Sequence, residues 1–263
     1  MNQPDSSSGT QRPAFAVETH HLTRKFGDYT AVDDIHLKVP HGSFFAFLGP
    51  NGAGKTTTLR MLTGLLQPSE GDASVVGLSI RNDLVEIKKH IGVVPDDLAL
   101  FNRLSIWEHL TMCGRIHSLS QSETHTRGED LLNLLQLWDD RGKYVVDCSH
   151  GMQKKLALAI ALIHNPRVLF LDEPFEGIDP IAGRSIRDLL VTMAKRGITI
   201  FLTSHILEIV ERLADRVAII AEGRIVAEES LVKLRQAGTT LESLFIEAVG
   251  SSDEEAPELS WLG

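Results

Sequence analysis

Five apolar residues, Phe44-Phe45-Ala46-Phe47-Leu48, stop at Gly49 and lead through Pro50-Asn51-Gly52-Ala53-Gly54 into Lys55-Thr56-Thr57. A wholly apolar run of strand length is buried on both faces, which suits a strand inside a parallel sheet. The helical pattern Lys55–Leu65 begins almost where the strand ends, so the chain must turn sharply between them. That turn fits G-x-x-x-x-G-K-[ST], and each residue type has a chemical reason. Glycines let the backbone wrap an anion and aim N–H groups inward, with no Cβ in the way. Lysine supplies a point charge, threonine a hydroxyl for a metal ion, and the new helix its positive dipole end. Gly49, Pro50, Asn51, Gly52, Ala53, Gly54, Lys55, Thr56 and Thr57 are therefore expected to cradle phosphate at a strand–helix junction.

The rest of the chain repeats that alternation. Val168-Leu169-Phe170-Leu171 and Ile198-Thr199-Ile200-Phe201-Leu202 read as further buried strands, and Ile181–Arg196 and Ile206–Leu213 as helices. Strands alternating with helices predict an α/β fold. From about Leu98 to His164 the pattern changes to helices with almost no β-branched runs. Leu131, Leu132, Leu134, Leu135 and Leu137 give one helix an apolar stripe. Ser149 reads as the cap of another, whose inner face would be Met152, Leu156, Ile160 and Ile163. This section is expected to be a helical subdomain inserted in the α/β core. Arg216–Ile220, Glu222-Gly223 and Arg224–Val226 read as a hairpin.

Residues 1–14 and 251–263 are expected to be disordered tails around a domain at 15–250. The second tail carries Asp253, Glu254, Glu255 and Glu258, four of the nine net negative charges of the 263-residue chain. The body is only mildly acidic, which argues against a general nucleic-acid binder. No apolar run approaches the ~18–20 residues of a membrane helix, and the N-terminus is polar, so the chain is expected to be neither spanning nor secreted. Cys113 and Cys148 have no metal-ligand spacing and read as reduced thiols.

The strand Val168–Leu171 ends in Asp172-Glu173-Pro174. Two acids after a strand are usually a solvated turn. Beside a phosphate loop they mean more, because α/β folds bind ligands outside the carboxyl ends of their strands. In such an ATPase the aspartate holds Mg²⁺, and the glutamate is a candidate general base for the attacking water.

With these motifs in order, the chain resembles the nucleotide-binding subunit of ATP-binding-cassette transporters from about Phe15 to Gly250. The resemblance implies a P-loop NTPase (RecA-like) core with an antiparallel β subdomain and an inserted helical subdomain at about 98–164. It implies ATP and Mg²⁺ as ligands, with Lys55, Glu173 and His205 as catalytic residues and Thr56 and Asp172 at the metal. Phe26, in Lys25-Phe26-Gly27, corresponds to the aromatic that stacks on adenine. Cys148-Ser149-His150-Gly151-Met152 is similar to the signature that closes over a partner subunit's ATP. Asp179 resembles the aspartate at the dimer seam, and His205 the residue that senses the γ-phosphate.

Three departures stand out. Asp96 replaces a usual glutamine after Pro95, and it is expected to contact the metal or its water. His150 stands where a glycine is usual; either it points away, or its protonated ring faces the partner's γ-phosphate. Met152 replaces a glutamine. The Ser-x-Gly-Met pattern, the acid at 96 and Leu241–Ile246 resemble an export-type branch. The family implies a second nucleotide-binding subunit, homo- or heterodimeric, and a separate transmembrane permease, with no nucleic acid. It also implies a cytoplasmic place, peripheral on the inner face of the cell membrane. The apolar cluster Leu98, Leu100, Phe101, Leu104, Ile106 and Trp107 either meets the permease or packs the helical subdomain. The alternatives are a soluble cassette ATPase of translation or DNA repair, and a regulatory nucleotide-binding module. Such soluble relatives usually carry two cassettes or a long coiled coil, and neither occurs here.

Overall fold

In a computed structural model that describes residues 13–250, every residue of Phe44–Leu48 is buried. The expected acidic tail and residues 1–12 lie outside the described part. Pro13, expected to be loose, is tied down: its carbonyl accepts from His41 Nε2 at 2.9 Å. From there the chain runs through β1 (Phe15–Phe26), β2 (Tyr29–Pro40), β3 (Phe44–Leu48), α1 (Lys55–Leu62), β4 (Glu70–Val75), β5 (Leu78–Ser79), α2 (Leu84–His90) and β6 (Ile91–Val94). A helical stretch follows with α3 (Ile106–Ile116), α4 (Gln121–Leu134) and α5 (His150–Leu162). Alternation then resumes with β7 (Val168–Asp172), α6 (Pro180–Lys195), β8 (Thr199–Ser204) and α7 (Leu207–Leu213). The hairpin β9 (Arg216–Ala221) and β10 (Arg224–Ser230) leads into α8 (Leu231–Ala237) and α9 (Leu241–Val249).

Two sheets result, in the orders β10-β9-β3-β8-β7-β6 and β2-β1-β4-β5. In the larger one β9, β3, β8, β7 and β6 pair in parallel and β10 closes one edge antiparallel. The smaller sheet is antiparallel throughout. Alternation along β3 explains why this strand had to be apolar everywhere. Phe45 and Phe47 face one core with α1 and the antiparallel sheet, and Phe44, Ala46 and Leu48 face the other with α5 and α6. Phe201 anchors the first core, its ring centroid 5.5 Å from both Phe45 and Phe170.

The stretch from 98 to 164 carries α3, α4 and α5. Ser105 and Ser120 cap α3 and α4 in reciprocal capping boxes with Glu108 and Glu123. Ser149 caps α5 and accepts from the Met152 N–H at 3.3 Å. Two expectations need correction. The leucine stripe is split, because α4 ends at Leu134: that residue is exposed, while Leu132 within the helix and Leu135 and Leu137 beyond its end are buried. The inner face of α5 is not a stripe at all: Leu156 and Ile163 are buried but Met152 and Ile160 only partly so, while Lys154 and Lys155 are buried with them. This helix is wedged between the sheet and α3, α4 and α6, so almost its whole circumference is covered. Of the apolar cluster ahead of α3, Ile106 is fully buried and Leu98, Leu100 and Trp107 pack on the core, which leaves Phe101 exposed.

Candidate nucleotide site

The loop after β3 is held by backbone bonds on three sides. Gly49 N–H donates to Ser204 O at 3.2 Å, Ala53 N–H to Pro50 O at 3.2 Å, and Gly223 N–H to Ala53 O at 3.1 Å. A Cβ on Gly49 would overlap the Ile220 carbonyl, and one on Gly54, at φ +106, would overlap that of Ala31. Gly52, at φ +81, faces open space instead, which is the concave side an anion would enter. Lys55 is 6% exposed and its ammonium donates to Gly49 O at 2.9 Å and Pro50 O at 3.2 Å.

Because β8 lies between β3 and β7, their carboxyl ends bring three more groups to this loop. Asp172 Oδ1, at the end of β7, accepts from the Thr203 hydroxyl at 2.6 Å and the Thr56 hydroxyl at 3.1 Å. Thr203 in turn accepts from the Glu173 N–H at 3.1 Å. Burial raises the Asp172 pKa, the two hydroxyls oppose it, and the nearby Asp96 and Glu173 carboxylates push it further up. Glu173 is buried and sits at φ 45, a left-handed backbone that a glutamate rarely adopts. Its Oε1 lies 3.2 Å from Lys55 Nζ and 3.1 Å from His205 Nδ1, yet it has no aligned hydrogen bond. An orphaned buried carboxylate oxygen between the Lys55 ammonium and the His205 ring is suited to take up a water.

Lys55, Thr56 and Glu173 line a groove of about 440 Å³ together with Phe26, Tyr29, Asn51, Gly52, Thr57, Asp96 and Glu176. Phe26 is 46% exposed and the Arg24 guanidinium lies 4.4 Å from its ring centroid. The Thr56 hydroxyl with the carboxylates of Asp172 and Asp96 forms a set of hard oxygen donors, which fits a small divalent cation such as Mg²⁺. Asp172 itself calls for a cation: a carboxylate this buried, beside two others, is poorly compensated by two hydroxyls alone.

Ser149, His150, Gly151 and Met152 are not part of this groove. They form the start of α5, with Ser149 and His150 exposed. His150 Nε2 lies against Gly177, within 3.6 Å of where a Cβ there would be. Asp179 caps α6 through the N–H groups of Ile181 at 2.9 Å and Ala182 at 3.0 Å, and its other oxygen approaches Gly151. Those helix N–H bonds, that to Ala182 foremost, lower the Asp179 pKa.

Sequence reasoning missed Tyr29, Thr203, Glu176 and Lys154. Tyr29 pairs with Phe26 across the β1–β2 turn, so two aromatics around Gly27-Asp28 were the available signal. Lys154 donates to the carbonyls of Glu173 at 2.9 Å and Glu176 at 2.8 Å, and so braces the segment after β7.

Comparison with known proteins agrees with this geometry. A model of the family described as ABC transporter matches residues 32–176. The daunorubicin/doxorubicin resistance ATP-binding protein DrrA of Streptomyces peucetius is 35% identical over 85% of this chain and 68% of its own length. The bacitracin transport ATP-binding protein BcrA of Bacillus licheniformis is 37% identical over 81% of this chain and 69% of its own. A solved ATP-binding subunit of an ABC transporter superposes with a TM-score of 0.82 at 28% identity, covering 89% of this chain and 99% of the other. The chain belongs to the ABC transporter family. Within that family it is an ATP-binding subunit and an ATP hydrolase, and its fold is the cassette P-loop fold with an antiparallel β subdomain. Among the described residues no helix is long and apolar enough to cross a membrane.

Proposed function

We propose that this chain drives outward transport through a separate membrane permease, at the inner face of the cell membrane, by pairing head to tail with a second nucleotide-binding subunit. Residues 15–250 act as one ATPase domain, with residues 98–164 inserted as its helical subdomain. ATP lies in the groove with its base on Phe26 and its phosphates on the loop Gly49–Thr57, where Lys55 releases its carbonyl partners to reach the β- and γ-phosphates. Thr56, Asp172 and Asp96 would hold Mg²⁺, which neutralises charge on the β- and γ-phosphates when bound. Glu173 accepts the proton of the attacking water, and His205 orients Glu173 and meets the γ-phosphate. Ser149, His150, Gly151 and Met152 have no partner in their own groove, which supports a role facing the ATP of the other subunit across a seam containing Asp179. Relatives named for drug resistance and bacitracin transport favour export. Exposed Phe101, Tyr144 and Val146 offer the permease an apolar contact.

The observation that carries the catalytic reading is the buried, strained Glu173, whose free oxygen stands between Lys55 and His205. Removing a general base costs about 10²–10⁴ in rate. Glu173→Gln is therefore expected to lose that much turnover while keeping its ATP affinity, measured by phosphate release and by equilibrium binding. Equal loss of turnover and binding would refute the assignment.

A further inference from the structure

On the antiparallel sheet, away from the groove, three side chains converge on one point. His21 Nδ1 lies 2.7 Å from Asp34 Oδ1 and 3.1 Å from His36 Nε2, and His36 Nε2 lies 3.2 Å from the same Asp34 oxygen. The donor atoms of these three exposed residues all fall within 4.8 Å of one another. Around a tetrahedral zinc with bonds of about 2.0 Å, neighbouring ligand atoms stand about 3.3 Å apart, so outward shifts of a few tenths of an ångström would complete the site.

The backbone is bent to produce this meeting. Thr19 pairs with Leu37 and Leu22 with Ile35, so His20 and His21 together oppose the single residue His36 in a bulge. His21 and Asp34 both take left-handed backbone, at φ 52 and φ 54. A Cβ on Gly71 of β4 would overlap the His21 carbonyl, so the bulge fits only against a glycine. Bulges re-aim side chains, and here the bulge turns an imidazole of β1 onto an imidazole and a carboxylate of β2.

We propose that His21, Asp34 and His36 form a surface site for a borderline divalent transition-metal cation, for which zinc is the representative ion. Two imidazoles and one carboxylate are the donors such ions prefer, and three protein ligands leave a position for water. The cation clamps β1 to β2 five residues before Phe26, at the base of the hairpin that carries Phe26 and Tyr29 into the groove.

The test is calorimetric titration of Zn²⁺ alone, at neutral pH and without nucleotide, into the untagged full chain after chelator treatment. One equivalent per chain is expected, and His21→Asn and His36→Gln should each weaken it at least ~10-fold, since each removes one ligand of three. Asparagine tolerates the left-handed backbone at position 21. Asp34→Asn, which keeps the side-chain shape and drops the charge, serves as a third variant should either of those fail to fold. Unaltered far-ultraviolet dichroism and ATP affinity report that the variants are intact. Absence of any site tighter than millimolar overturns the proposal. So does an isotherm that the substitutions leave unchanged, because binding would then lie elsewhere, for instance at Glu173, Glu176 and His205.

Discussion

Lys154→Met separates the energetic role of the segment after β7 from its chemistry. Lys154 is 3% exposed and its ammonium donates to the carbonyls of Glu173 and Glu176. Burial lowers its pKa, while the carboxylates of Asp96, Glu176, Glu173 and Asp172 pull it back up. Methionine has similar length but no donor, so both carbonyls lose a partner. Glu176 is exposed and its carbonyl has water available, which leaves the Glu173 carbonyl as the stranded one. A stranded buried carbonyl costs about 1–3 kcal/mol, and relief of the buried ammonium offsets part of this. A net loss of about 1–2 kcal/mol lowers the melting midpoint by about 2–8 °C in a domain of this size. The effect on turnover is larger in proportion. Left-handed backbone at Glu173 stores about 1–3 kcal/mol of strain and persists only while its surroundings hold it. Releasing 1.4 kcal/mol of that positioning amounts to about a tenfold fall in rate. Lys154 does not line the groove, so ATP affinity should stay unchanged. Thermal denaturation and phosphate release test this together: a midpoint within ~1 °C of wild type with unchanged turnover would refute the bracing role.

Two further outcomes follow from the site and the helical subdomain. Phe26→Ala is expected to raise the dissociation constant for ATP about 5–150-fold, from stacking worth ~1–3 kcal/mol, with little change in maximal turnover; unchanged binding would move the base to Tyr29. Burial holds the His164 pKa down at about 4, against 6.5 unperturbed, with its ring stacked 3.7 Å from that of His117. Below pH 6.5 the unfolded chain takes a proton that the native state refuses until about pH 4, so stability falls as pH drops through that window. His164 is partly solvated, and the loss should be on the order of 2 kcal/mol. Urea denaturation at the two ends of the window should show a larger loss in wild type than in His164→Gln, the difference being that contribution, because buried His109 and half-buried His117 add losses common to both.

How much of this was legible depends on whether the chemistry is local in the chain. The turn from β3 into α1 was fully legible, because its residue types fall at consecutive positions that adjoin one strand. Asp172 and Glu173 were legible as acids closing an apolar strand. Thr203 was not, since its role exists only because β8 lies between β3 and β7, and strand order is not written in any one segment. Lys154 was hidden for another reason. A helix covered on nearly all sides shows no amphipathic stripe, so the period that finds exposed helices chose the wrong inner face for α5. The capping boxes at Ser105–Glu108 and Ser120–Glu123 mark the starts of α3 and α4 and were missed, although each has the form Ser-x-x-Glu. In the antiparallel sheet the bulge at His20 and His21 interrupts the alternation of β1, so the meeting of His21, Asp34 and His36 had no periodic signature.

On the proposed function, this groove is half of a site completed by the α5 start of another subunit. Light scattering of Glu173→Gln with saturating ATP and Mg²⁺ tests it most directly, since that variant should hold the closed state without resetting. A dimer that appears with ATP, and reverts to monomer when ADP replaces it, is the predicted result. A protein that binds one ATP per chain and stays monomeric would contradict it.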